Sequence, residues 1–156
     1  MTDINSNLLA PCGLYCGVCA IHIADRDKNV KFKKILVDVY KPISKTPEDI
    51  KCSGCMSENQ EEIFGYCKTC PIRDCVIGKG FNACYQCNDF PCKFIERFPI
   101  PVGKKVIMRA IPRWKEIGTE KWVEEEEIRY HCPDCGNFLF RGAKRCNKCG
   151  IPVDVD

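Results

Sequence analysis

Residues 131–150 read HCPDCGNFLFRGAKRCNKCG. Cys132, Cys135, Cys146 and Cys149 fall in the pattern C-x2-C-x10-C-x2-C. Two residues between cysteines let one tight turn offer both sulfurs to a single ion, and two such turns complete a tetrahedral site. Gly136 and Gly150 each follow the second cysteine of a pair. Glycine tolerates the positive φ of a knuckle turn, whose N–H groups then point at the thiolates. Four thiolates leave no open position, so the site is structural rather than catalytic and Zn²⁺ is the expected ion. His131 adjoins a site that four cysteines already fill, and it is expected at the surface.

Working outward, the same spacing recurs at Cys16/Cys19, Cys52/Cys55, Cys67/Cys70 and Cys84/Cys87, making six C-x2-C pairs among fifteen cysteines. An odd count does not suit a closed disulfide framework. The segment MTDINSNLLAPCG has no charged n-region and no long apolar run, so no secretory signal is expected. No stretch approaches the ~18 apolar residues of a membrane span. A cytoplasmic setting follows, and its reducing chemistry favours metal over disulfides. The 156 residues are 45% hydrophobic only when the cysteines are counted. So lean a chain needs staples. The formal charge of +3 excludes a strongly basic histone-like protein and an acidic disordered tail.

The segment 131–156 resembles a zinc ribbon, with Phe138-Leu139-Phe140 as a short strand before an Arg141-Gly142 turn; a rubredoxin-like iron site uses the same ligands. Upstream, a helix is expected from Cys19 to about Asp27 and another over 29–40. There Phe32, Ile35, Leu36 and Val39 stand at i, i+3, i+4, i+7, one apolar stripe. Thr46-Pro47-Glu48-Asp49 reads as a cap and a short turn. From Lys51 to Cys92 the pattern suggests knuckles and loops. Helix resumes at Phe94–Phe98 and the Pro99/Pro101 pair breaks it. Residues 103–117 carry Val106, Ala110, Trp114 and Ile117 on one face, and Pro112 predicts a kink or two shorter helices. Gly118-Thr119 breaks the chain before an acidic helix, Glu120–Tyr130. The fold class expected is a small metal-stabilised α+β protein. It has a cysteine-rich domain of short helices and zinc knuckles over 1–118, a helical connector over 119–130 and a C-terminal β zinc ribbon over 131–156.

Eleven cysteines remain: Cys12, Cys16, Cys19, Cys52, Cys55, Cys67, Cys70, Cys75, Cys84, Cys87 and Cys92. His22, three residues after Cys19 on the same helical face, raises the ligand count to twelve, enough for three tetrahedral sites and three to four Zn²⁺ ions in all. The alternative is two four-thiolate sites, three thiols left over and an ordinary helix histidine at 22. The spacing does not say which knuckle joins which. Cys52/Cys55 with Cys67/Cys70 is one ribbon-like grouping. Cys67-x2-Cys70-x4-Cys75 repeats as Cys84-x2-Cys87-x4-Cys92, offset by 17 residues, which suggests two half-sites folded together. Cys12-x3-Cys16-x2-Cys19 also has the spacing of radical-SAM enzymes, but the chain is too short for the barrel that chemistry needs. A simpler iron–sulfur cluster in the N-terminal domain remains the rival to zinc.

The ordered series CGLYCGVC, KCSGC, YCKTCPIRDC and ACYQCNDFPC resembles the bacterial and archaeal "domain of unknown function 3795" family over about residues 8–100. The stretch to Trp122 and the appended ribbon look like members that carry a C-terminal zinc ribbon. The resemblance implies metal-binding cysteines in a prokaryotic cytosolic protein and implies no particular reaction.

Three functional classes follow. The first is a zinc-stapled module that binds a protein partner or, through Lys28, Lys31, Lys33 and Lys34 and through Lys104, Lys105, Arg109, Arg113 and Lys115, nucleic acid. Fifteen thiolates add fifteen negative charges and four Zn²⁺ return eight, which takes the formal +3 to −4 and favours a protein partner. The second is an iron–sulfur or thiol redox protein. The third is an enzyme, which the chain does little to suggest: HExxH, Walker and GxSxG patterns are missing. An open three-thiolate site at Cys12/Cys16/Cys19 is the one catalytic design the residues offer. The acidic run Glu124–Glu127 reads as a solvated helix face.

Overall fold

The computed structural model describes residues 3–156, and they form a small, mostly helical protein. Helix α1 spans Ala20–Arg26 and α2 spans Val30–Val39, close to the expected positions. The Asn29 side chain caps α2 by accepting the Phe32 N–H at 3.0 Å. A 3₁₀ turn, Pro47–Asp49, follows the expected cap, with the Thr46 N–H donating to Asp49 Oδ2 at 2.9 Å. Two helices lie where loops were expected: α3, Gly65–Lys68, and α4, Pro71–Gly78. Pro71 at the first position of α4 and the Ile72/Val76 pair one turn apart are the signals for it. Then come α5, Lys93–Glu96, α6, Pro101–Ile117, and α7, Thr119–Arg129.

Helix α6 runs through Pro112 without splitting in two. Pro112 sits on the exposed face, so the Met108 carbonyl left without its partner turns to water rather than into the core. The opposite face buries Val106, Ile107, Ala110, Ile111 and Trp114. Helix α7 is packed against it rather than solvated all round. Trp122 is fully buried and stacks on Trp114 with centroids 3.9 Å apart and planes 7° from parallel. Glu126, expected in solvent, is 2% exposed and forms a bidentate pair with Arg109, Nη2–Oε2 being 3.2 Å. Arg113 pairs with Glu125 and Glu116. Two of the five cations in the basic stretch 104–115 are therefore held by carboxylates. In the earlier cluster, Lys33 pairs with Asp25 at 2.7 Å.

The apolar stripe of α2 also differs from its periodicity. Leu36 and Val37 are buried, whereas Ile35 and Val39 are 55% and 66% exposed. Helix α2 packs on α1 and on Ile50, Cys52 and Phe64, a small core of its own. The main core is longer. It runs from Cys12, Tyr15 and Val18 through Ile72, Val76 and the buried face of α6 to Trp122, Tyr130, Leu139, Ala143 and Cys146.

Segment 131–156 carries no β-strand; among the described residues there are two isolated bridges, His131 with Phe138 and Arg145 with Pro152. The sheet expected of a ribbon is absent because each knuckle closes on itself. Cys132 N–H bonds to Asn137 O and Leu139 N–H to Tyr130 O, while Cys146 N–H bonds to Ile151 O and Val153 N–H to Lys144 O. The α+β expectation thus gives way to a helical fold with two metal-type hairpins. This segment is tied to the rest by the Arg141 N–H donating to Val18 O at 2.8 Å and by Tyr130, whose hydroxyl donates to Asp156 Oδ1 at 2.6 Å. Tyr130→Phe is expected to cost about 1.5–3 kcal/mol, the range for a hydrogen bond to a charged group. A shift in urea midpoint at unchanged slope would measure it. No helix among the described residues is long and apolar enough to cross a membrane.

Candidate metal centres

The fifteen cysteines are all free thiols, and the fold sorts them into three groups. The C-terminal group is a closed quartet. Ligand atoms of Cys132, Cys135, Cys146 and Cys149 all lie within 4.8 Å of one another, with Cys132 Sγ–Cys149 Sγ and Cys135 Sγ–Cys146 Sγ both 3.6 Å. A tetrahedral ion with metal–sulfur bonds of about 2.3 Å needs sulfurs about 3.8 Å apart. The quartet is therefore already at metal-site spacing. Gly136 (φ 71°) and Gly150 (φ 79°) close the two turns, each N–H donating 2.9 Å back to the carbonyl of the first cysteine of its pair. Backbone N–H groups of Cys149 and Lys148 stabilise the Cys146 thiolate and lower that thiol to about 6. His131 is exposed and bonds through Nδ1 to Glu127 O. It stands outside the quartet.

The second group surrounds a cavity of about 180 Å³ at the junction of the two cores. Its walls hold the three cysteines of residues 12–19, the pair Cys52/Cys55 and the pair Cys67/Cys70, together with His22, Arg73 and Arg141. Loops far apart in sequence converge here because Gly54 sits directly against the backbone of Asn7, with the Met56 N–H bonded to Asn7 O. Burial pushes Cys12 up to about 12 and Cys52 to about 11; the neighbouring Cys55 thiol, then burial, raises Cys16. Such thiols stay protonated until a cation draws the proton off. His22 Nδ1 donates to Cys52 O at 2.8 Å, since a carbonyl only accepts, which makes Nε2 the ring nitrogen that would face a metal.

The third group lines a separate, more open cavity of about 440 Å³ and consists of Cys75, Cys84, Cys87 and Cys92, with Lys79 Nζ donating to Cys87 Sγ at 3.4 Å. Burial raises Cys84 to about 12. The internal repeat is therefore split across two sites: Cys67 and Cys70 face the first cavity while Cys75 turns along α4 to the second. Likewise Cys52/Cys55 and Cys67/Cys70 do share a cavity, but together with the cysteines of 12–19. Among the described residues, the C-terminal quartet is the one set of three or more His, Cys, Asp or Glu ligand atoms that are mutually within 4.8 Å. The groove by α7 was not foreseen from the sequence: Tyr15 Oη donates to Glu127 Oε1 at 2.9 Å there, beside His22, Arg26 and His131.

No curated protein and no solved structure matches this chain. A family model described as "Protein of unknown function (DUF3795)" matches residues 8–97. That span holds every cysteine of the two N-terminal groups and ends well before the quartet. With more than half its length matched by that model, the chain belongs to the DUF3795 family.

Proposed function

We propose that this chain is a metal-stapled protein-interaction module whose C-terminal quartet holds one structural Zn²⁺. The observation that carries the metal is the spacing of the quartet, four sulfurs already within bonding reach of one ion and no fifth ligand position. Four thiolates suit a soft or borderline ion, and zinc is the one that needs no redox partner. The interaction role draws on α2. Ile35 and Val39 stand one helical turn apart with more than half their surface in solvent, and Ile43 beyond the helix end is 47% exposed. A cytoplasmic protein partner fits this apolar face better than nucleic acid fits a basic stretch whose arginines are already paired.

Elemental analysis of the purified chain is expected to find zinc, with one equivalent lost in Cys146→Ser; an unchanged zinc content would overturn the assignment. A photo-crosslinking residue at position 39 is expected to yield one saturable protein adduct in cells that Ile35→Glu suppresses. Adducts unaffected by that substitution would remove the interaction role.

A further inference from the structure

The geometry points to an iron–sulfur cluster of the [4Fe–4S] type in the cavity at the junction of the two cores, a site separate from the proposed zinc quartet and independent of it. Three observations converge. First, the seven cysteines there are gathered into one wall, yet no three of their sulfurs come within 4.8 Å of one another among the described residues. The same chain brings all four C-terminal sulfurs within 4.8 Å of one another, two pairs of them to 3.6 Å. Sulfurs spread around a space of about 180 Å³ do not match a single tetrahedral ion, which draws its ligands to about 3.8 Å apart. Four of the seven suffice for a cluster in which each ligating cysteine bonds a different iron.

Second, the charge in the wall is one-sided. Arg73 is 9% exposed and donates to Cys67 O and Gln60 Oε1. Arg141 reaches in from the C-terminal segment, with Nη1 on Tyr15 O at 3.1 Å. Neither pairs with a carboxylate among the described residues, whereas Arg109 and Arg113 both do. A cation withdrawn from water needs an anion. A thiolate-ligated cluster carries net negative charge and supplies it between the two guanidinium groups. Third, Ile72, Phe98 and Val102 make the remaining wall apolar, the surroundings that keep water from a cluster. Cys16 and Cys55 lie at the heart of it: the Cys55 N–H donates to Cys16 Sγ at 3.4 Å, an N–H···S bond of the kind that tunes clusters. The third cysteine group shares the spread of sulfurs and has apolar wall at Ile72, Phe90 and Phe94, but it lacks the buried guanidinium groups. It is more open, and of its two lining cations, Lys79 and Lys93, the first already has Asp89 at 3.8 Å.

Loading is a ligand exchange with no change of oxidation state. Four cysteine thiols each pass a proton to a departing small thiolate, and their sulfurs bond to the four irons in its place. The probe is a preassembled synthetic [4Fe–4S] cluster carrying four 2-mercaptoethanol thiolates, added without oxygen to the full chain whose quartet is already zinc-loaded. Retention of four irons and four sulfides per chain after gel filtration is expected, with a brown charge-transfer absorption. Cys16→Ser and Cys55→Ser should lose that iron, whereas Cys92→Ser, in the third group, should keep it. To separate ligand loss from misfolding of a serine variant, the unmodified chain supplies a second readout: cluster loading should protect Cys16 and Cys55 from alkylation. No retained iron, protection confined to Cys75, Cys84, Cys87 and Cys92, or zinc alone binding the cavity and blocking cluster uptake would each overturn the inference. Zinc in the quartet is counted separately, so either assignment can fail without the other.

Discussion

Arg109→Ala is expected to destabilise the fold by about 3 kcal/mol, the low end of the range for stranding one partner of a buried ion pair. The low end applies because Arg109 keeps 29% of its side-chain surface, whereas Glu126 keeps 2%. Truncating the arginine removes both N–H donors from the Glu126 carboxylate and leaves that group against α6 with neither water nor a cation. The pair also spans the α6–α7 seam, so its loss loosens the face that holds Trp122. Chemical denaturation of the variant would measure the cost. The double change Arg109→Met with Glu126→Leu should recover most of it, since two apolar side chains leave no charge to desolvate. A single variant within about 0.5 kcal/mol of the parent, the size of an ordinary surface substitution, would show that the pair does not matter.

Cys146→Ser is expected to have the larger reach. Cys146 is 2% exposed and belongs both to the metal quartet and to the main core. Losing one of four thiolates releases the ion, and in small metal domains the binding energy is folding energy. The sequence suggests two modules that fail separately, but Leu139, Ala143 and Cys146 pack in one cluster with Tyr15 and Trp122. Arg141 also bonds to Val18 O and Tyr15 O. The damage is therefore expected to extend past residue 131. Hydrogen exchange should show lost protection at the Arg141 and Leu139 amides and faster exchange in α7. Exchange confined to residues 131–156 would restore the two-module picture.

Where sequence reasoning succeeded, the signal was local. The C-terminal quartet follows from one spacing and two glycines, and α2 from apolar periodicity within a dozen residues. Where it failed, the cause was tertiary. The C-x2-C pattern says that two sulfurs share a turn but not which other turn they meet, so the split of the 17-residue repeat between two cavities was invisible. Glu126 looks like one more acid in a run of four, and only the position of Arg109 on the facing helix decides that it is buried. The stripe on α2 counted four apolar positions, yet α1 covers one side of it and leaves Ile35 and Val39 bare. Pro112 was legible as a breaker, but not the exposed face that lets α6 continue. The family match carries the N-terminal cysteines and assigns them no chemistry.

The chain has two tryptophans, Trp114 and Trp122, and they lie face to face with Tyr15 edge-on to the second at 5.9 Å and Tyr85 against the first at 5.2 Å. All intrinsic indole emission therefore originates from a single spot, and the coupled rings should give an exciton signature in near-ultraviolet circular dichroism. That optical signal follows the seam between the last two helices and is blind to α2. A chromophore bound elsewhere in the chain within energy-transfer range would dim both indoles at once, which makes the unlabelled protein its own sensor of such a group.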